Sequence, residues 1–412
     1  MNSAFGGSQK IWINAQIATM NPQVDTPYGL LKNQVLGIDD GKIAFIAPMQ
    51  DIDINAFPGE IIDAQGNYLT PGLIDSHTHL IYGGQRSGEF TRRLNGATYE
   101  EISRAGGGIL ATVAATRMLS EDELVEQARP RLEALINEGV TTVEIKSGYG
   151  LTLQDELKML RAAKKLAADY PIHLRTTLLA AHAVPPEYTK DPDSYIELIC
   201  EEMIPQAAAE GLAQAVDVFC EKIAFSATQS EQIFAAAQKA GLGIKVHAEQ
   251  LSNNHGAELA ASYSAWSVDH LEYLDEAGIK ALKKTGTVAT LLPGAFYFLG
   301  ETKKPPVELL RQYQVPMALA SDLNPGSCPL ASLRLMLNMG CILFGLTPEE
   351  ALLGTTRNAA IALGLGDGIG TLQAGKTADM LLWDIGDPAQ LAYEFGSNVL
   401  LQRIFGGEIS YA

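Results

Sequence analysis

Between about residues 70 and 350 the chain repeats one pattern. A stretch with apolar positions three and four apart is followed by a short apolar run. SEDELVEQARPRLEALINEGV leads into TTVEIKSG, and LQDELKMLRAAKKLAADY into IHLRTTLLA. ELICEEMIPQAAAEGL leads into AVDVFC, and TQSEQIFAAAQKAGL into GIKVHAE. TVATLLPG, VELLRQY and VPMALASD continue the series. Such alternation predicts parallel strands with crossover helices. About seven or eight units fit, which suits a closed (β/α)8 barrel better than an open sheet. The two ends read differently. KIWINAQIATM, QVLGIDDGKIAFIA and EIIDAQGNYLTPG near the start, and GTLQAGKTADMLLWD and VLLQRIFGGEISYA near the end, are short strands broken by turn residues. The expected organisation is a barrel over 71–354 and a small β-sandwich domain built from 1–70 and 355–412.

The polar residues that break the apolar runs have a consistent place. LIDSHTHL, VEIKSGYG, LLAAHAV, IKVHAEQ, VDHLEY and LASDLNPG each run from a strand-like segment into His, Asp, Tyr or Asn. Those are the carboxyl ends of strands, where barrel enzymes keep their chemistry. His77 and His79 in PGLIDSHTHLIYGG stand at i and i+2, so on a strand they share a face. Two imidazoles on one face suit a borderline metal such as Zn²⁺ or Fe²⁺. A bare His-x-His matches by chance often enough that ordinary hydrogen bonding is its default reading. His247 and Asp322 shift the balance, because strand ends of a barrel converge on one mouth. Three histidines and an aspartate would leave a position open for water, whose pKa a bound metal lowers from about 16 to about 7. Taken singly, Asp322 also suits an Asx turn and His247 a hydrogen-bonded core position.

Composition narrows the partners. The chain has 412 residues, 47% of them hydrophobic, enough for a large core. Its formal net charge of −18 repels phosphate backbones, so nucleic acid is not an expected partner. No uncharged apolar run reaches a membrane span, and the start, MNSAFGGSQK, lacks the pattern of a signal peptide. Four cysteines without a CxxC pair point to free thiols and a reducing cytoplasm. There is no GxSxG elbow, and GLGDGIG lacks the dinucleotide spacing.

PGLIDSHTH, His247, His270, ASD at 320–322, TTRNAAIALGL and GTLQAGKTADMLLWD together resemble the amidohydrolase superfamily of metal-dependent barrel hydrolases. HTHLIYGGQRSGEF, RAGGGILATVAATR, EIKSGYGL, AAHAVPPEY, VHAEQLS and SDLNPGSCP are similar, within it, to the imidazolonepropionase family, over nearly the whole chain. That resemblance implies hydrolysis of the cyclic amide of 4-imidazolone-5-propanoate to N-formimidoyl-glutamate in histidine degradation. It implies one divalent ion, Zn or Fe, on His77, His79, His247 and Asp322. It places substrate contacts on Arg86, Tyr149, His182, Gln250, Asn324, Gly326 and Ser327, with Arg86 clamping the propanoate in a bidentate fork. Some relatives carry Glu at position 250. Gln250 cannot serve as a base, so it is assigned to substrate binding. Asp322 is then the expected proton acceptor, with His270 turned towards the water or the developing oxyanion.

Several neighbours are expected to play lesser parts. Lys146 is read as structural or electrostatic, because the one-metal pattern needs no bridging carboxylated lysine. His173 and His255 are read as structural, the latter inside a helix. Glu144 and Glu249 are candidate hydrogen-bond partners for histidines. Gly106–Gly108 is read as a turn or lid near the mouth. The superfamily makes a homodimer a reasonable expectation. The competing enzymatic reading is an aminohydrolase of a purine, pyrimidine or triazine; the competing non-enzymatic one is a binding scaffold on the same barrel.

Overall fold

The computed structural model describes residues 5, 7–97, 101 and 106–411. The first two residues of RAGGGILATVAATR, Arg104 and Ala105, lie outside the described residues. Two eight-stranded sheets organise the rest.

The first sheet draws on both chain ends. β1 (Lys10–Ala18), β2 (Leu30–Asp39), β3 (Lys42–Pro48), β4 (Glu60–Asp63) and β5 (Tyr68–Pro71) come from the beginning. The second sheet is the barrel: β6 (Leu73–Asp75), β7 (Val140–Lys146), β8 (His173–Ala181), β9 (Ala215–Cys220), β10 (Gly243–Ala248), β11 (Ser267–His270), β12 (Val288–Leu291) and β13 (Met317–Leu319). The chain then returns to the first sheet with β14 (Met380–Trp383), β15 (Leu400–Phe405) and β16 (Glu408–Tyr411).

β1 branches the first sheet. One edge pairs with β2; the other pairs with β4 along Lys10–Ile13 and with β5 along Gln16–Ile17. An apolar core of Trp12, Ile17, Leu36, Leu69, Met380, Leu382 and Ile404 results. Buried Arg403 joins this sheet to the base of the barrel, donating from Nη2 to the carbonyls of Val140 (2.9 Å) and Pro171 (2.6 Å). His173 opens β8, as expected, and bonds Asp379 across the same junction at 2.9 Å.

The barrel strands run parallel in chain order, β6 to β13. Helices cover them through apolar faces of helical period. In Glu121–Asn137 the buried residues are Leu124, Val125, Ala128, Leu132 and Leu135, and a Ser120–Glu123 capping box sets its start. The seam closes at the mouth. Thr78 bridges Leu323, the His79 N–H donates to the Leu323 carbonyl (2.9 Å), and the Asp322 N–H donates to the His77 carbonyl (3.0 Å). The bonds that shut the barrel therefore fix the two segments carrying His77, His79 and Asp322.

Two local expectations change. His255 is not inside a helix; it adopts φ +58° and immediately precedes the helix Gly256–Ser262. The link from β6 to β7 also contains the helix Ser87–Leu94, which the apolar pattern does not signal because SGEFTRRL is mostly polar.

Candidate metal and substrate site

The mouth gathers residues from distant parts of the chain. His79, Arg86, Tyr149, His182, His247, Gln250, His270, Asp322, Asn324, Gly326 and Ser327 line one cavity of about 540 Å³. His77 is fully buried behind that wall. The structure thus brings together every site residue expected from the sequence.

At the floor, His79 Nε2 lies 3.3 Å from His77 Nε2 and 3.4 Å from His247 Nε2. Asp322 Oδ1 stands 3.5 Å from His77 Nε2 and 3.4 Å from His79 Nε2. The far side of two rings is committed. His77 Nδ1 bonds Asp269 Oδ2 (2.6 Å) and His247 Nδ1 bonds Asp217 Oδ1 (3.0 Å). With those nitrogens donating, Nε2 of His77 and of His247 presents a lone pair inward, towards His79 Nε2. A cation shared by these nitrogens and Asp322 Oδ1 would make such a cluster favourable. Edges of this length belong to a tetrahedron whose centre is about 2.0–2.1 Å from each corner, the usual Zn–N distance. His77, His79 and His247 could therefore hold a metal ion.

Charge beneath the site agrees. Lys146 Nζ lies 2.7 Å from Asp217 and 2.8 Å from Glu144, all fully buried. Lys245 Nζ lies 3.7 Å from both Glu144 and Asp269, and donates to the Ser76 carbonyl at 3.1 Å. Four buried carboxylates, of Glu144, Asp217, Asp269 and Asp322, face two lysines. The formal balance is two negative charges, which one divalent ion cancels. A fifth carboxyl, Asp75, accepts the Ser321 N–H across the seam, and burial pushes it up to about 6. Glu144 pairs with lysines, and Glu249 accepts the N–H groups of Gly256 and Ala257 at a helix start. The carboxylates that orient the histidines are instead Asp217 and Asp269. Their signal in the sequence was a lone Asp inside a fully apolar run, AVDVFC, and another beside His270 in SVDH.

Around this floor His182, His247 and His270 are held neutral. Burial draws His247 down to about 3 and His270 to about 4, and holds His182 well below its usual range. His182 stacks on His79 with ring centres 5.2 Å apart. Its Nδ1–H donates to the Gly148 carbonyl at 3.0 Å, which turns Nε2 away from that carbonyl. Gly148 sits at φ +110°, and a Cβ there would come within 2.9 Å of His182 Nδ1. Burial pushes the Tyr149 hydroxyl up, so it remains a donor. His270 at φ +85° and Asp322 at φ +51° hold left-handed backbone at strand ends, strain of a kind that collects at functional sites. Asp322 is buried, yet its bonds to His77 and His79 keep it well below the ordinary carboxylate range and so ionised.

The outer wall carries Arg86, Gln250 and the loop Asn324–Ser327. Asn324 Oδ1 accepts the N–H groups of Gly326 (2.8 Å) and Ser327 (2.7 Å), while its Nδ2 donates to the Asp322 carbonyl (2.7 Å). This is turn chemistry, and it also fixes the loop to the floor. Arg86 is not a solvated loop arginine: its side chain is 19% exposed and bonds Glu89. Gly108 of the glycine triplet reaches the cavity.

The barrel with a His-x-His, His and Asp mouth is the architecture of metal-dependent hydrolases. The chain belongs to the amidohydrolase family, whose model matches residues 68–409. It is 58% identical over 398 residues to the imidazolonepropionase of Hahella chejuensis, covering 97% of this chain and 98% of that one. It is 56% identical over 407 residues to the imidazolonepropionase of Chromobacterium violaceum, covering 99% and 98%. Among solved structures, a triazine hydrolase superposes with a TM-score of 0.74 at 17% identity, covering 98% of this chain and 94% of that one. A 5-methylcytosine deaminase from Klebsiella pneumoniae gives 0.72 at 20% identity, covering 97% of both. At that identity these two share the fold.

Proposed function

We infer that the chain opens the ring of 4-imidazolone-5-propanoate by hydrolysing its cyclic amide to N-formimidoyl-glutamate, a step of histidine degradation. One observation carries this reading: a four-donor cluster lies at the floor of a cavity of about 540 Å³ whose wall carries Arg86 beside the Asn324–Ser327 loop. The identity of 56–58% to imidazolonepropionases supports it. We propose His77, His79, His247 and Asp322 as the ligands of one divalent ion, Zn or Fe. When bound, such an ion supplies a water acidified to a pKa of about 7 and polarises the amide carbonyl.

The chain's own groups do the rest. Asp322, ionised and at the floor, takes the proton from the attacking water. Neutral His270 steadies the developing oxyanion or the water. Gln250, Tyr149 and His182 hold the ring by hydrogen bonds. Arg86 binds the propanoate, and Asn324, Gly326 and Ser327 shape the pocket around it. Ring opening transfers the proton from Asp322 to the leaving nitrogen. In this reading residues 71–354 form the catalytic domain and 1–70 with 355–412 its β companion. No helix among the described residues is long and apolar enough to cross a membrane. The four cysteines are unpaired, which supports a cytoplasmic setting. A homodimer is part of the same reading, tested by sedimentation.

The test is turnover of freshly generated imidazolone-propanoate, followed by loss of ring absorbance and mass detection of N-formimidoyl-glutamate, with and without a strong chelator. Rapid, chelator-sensitive conversion is expected. Absence of conversion by protein containing one metal per chain would overturn the substrate and turn attention to nucleobase deamination. His270→Ala should abolish turnover, and normal turnover would remove its role.

A further inference from the structure

Glu89 shares the cavity wall with Arg86 and has no part in the reaction as described above. Its Oε2 accepts from Arg86 Nε (3.0 Å) and from Arg86 Nη2 (2.8 Å). Its Oε1 accepts the N–H of Gly108 at 3.1 Å. One carboxylate therefore ties the arginine to the glycine loop across the rim. The two side chains are 19% and 18% exposed, so the pair is largely shielded from solvent. On its opposite side the guanidinium is wedged against Gly326. A Cβ on that residue would stand 2.2 Å from Arg86 Nη1 and 3.1 Å from Cζ. Glu89 thus occupies the Nε–Nη2 edge of the fork. That leaves the end-on edge, Nη1 with the second Nη2 hydrogen, as the side of the fork a carboxylate would meet, with Nη1 lying against Gly326 in the same cavity.

We propose that Glu89 is the positioning residue that makes Arg86 a carboxylate receptor, with Gly326 as the stop on the other side. The proposal rests on the reading of Arg86 as the propanoate clamp. A free arginine loses rotamer freedom when it binds an anion. Glu89 fixes the side chain beforehand, so less ordering remains for the binding step. Its charge-assisted bonds are short and directional, and they select which edge of the fork the substrate meets. Glu89 never touches the substrate in this arrangement. The opposite arrangement would have the propanoate displace Glu89 from Arg86, and the two make opposite predictions.

Steady-state kinetics on imidazolone-propanoate separate them, using metal-loaded wild type, Glu89→Ala, Glu89→Gln, Gly326→Ala and Arg86→Ala. Glu89→Ala should raise KM about tenfold and leave kcat within about twofold. Glu89→Gln keeps an acceptor for the guanidinium and should recover part of that loss. Gly326→Ala should raise KM by moving Arg86 from its other side. Inhibition by imidazole-4-propanoate and by its carboxamide gives a readout that general loosening would not move: Glu89→Ala should narrow the preference for the carboxylate. A lower KM in Glu89→Ala would show competition and overturn the proposal. An unchanged KM alongside a raised KM in Arg86→Ala would also overturn it, with the clamp intact. An unchanged KM in Arg86→Ala would overturn the clamp itself and the positioning role with it.

Discussion

Both sheets have eight strands, yet they fill their interiors in opposite ways. The sheet from the chain ends packs Trp12, Ile17, Leu36, Met380 and Ile404 into an apolar core. The barrel strands, equally buried, place Glu144, Lys146, Asp217, Lys245 and Asp269 inside. Burying charge costs free energy that packing of apolar residues would not. The comparison teaches where stability and function are kept apart. The first sheet holds by burial of apolar surface. The barrel mouth gives up some of that stability to keep carboxylates aimed at imidazoles, and imidazoles aimed at a common centre.

Five changes test that division, beginning with the largest effect. Asp322→Asn keeps the shape and removes the charge. Turnover should fall about a thousandfold or more, while the fold persists; steady-state assays with circular dichroism check both. Lys146→Met strands Asp217 without its lysine and leaves Glu144 only Lys245, at 3.7 Å. Metal affinity should weaken about 10–100-fold, read by competition with a chromophoric chelator, and stability should drop by about 3–5 kcal/mol. The double change Lys146→Met with Glu144→Gln restores the charge balance without touching either histidine's partner. It should recover stability more than metal affinity.

Leu36→Ala, in the apolar core, should cost about 2–5 kcal/mol in denaturant unfolding. The kcat of the folded protein should be unchanged. An equal loss of kcat would mean that the two sheets are not functionally separate. Glu272 gives an effect that depends on pH. Burial pushes its carboxyl up to about 8, so the folded chain holds a proton there that the unfolded chain releases near 4.5. Stability should therefore fall as pH rises from about 4.5 through 8. Glu272→Gln should raise the melting temperature at pH 8 and leave it nearly unchanged at pH 4.5.

The same division explains what the sequence made legible. The β-α repeat and the polar residues at strand ends follow from local periodicity, and His77, His79, His247, His270 and Asp322 meet where that pattern places them. The ring orientations depend on residues with no local mark. Asp217 looks like any aspartate interrupting an apolar strand until β9 and β10 pair and bring it to His247. Asp269 bonds a histidine 192 positions away. Glu144 and Glu249 were the nearer candidates in the chain, but the first turns to two lysines and the second caps a helix. Glu89 is likewise one acidic residue of a polar helix until the fold sets it against Arg86.

The central claim is that the barrel mouth holds a place for one divalent ion. X-ray absorption on zinc-loaded protein tests it most directly. The account predicts one zinc per chain, with three imidazole nitrogens and oxygen at about 2.0–2.2 Å. That shell should lose one imidazole in His247→Ala. A sulfur-containing shell, or a spectrum that His247→Ala leaves unaltered, would contradict it.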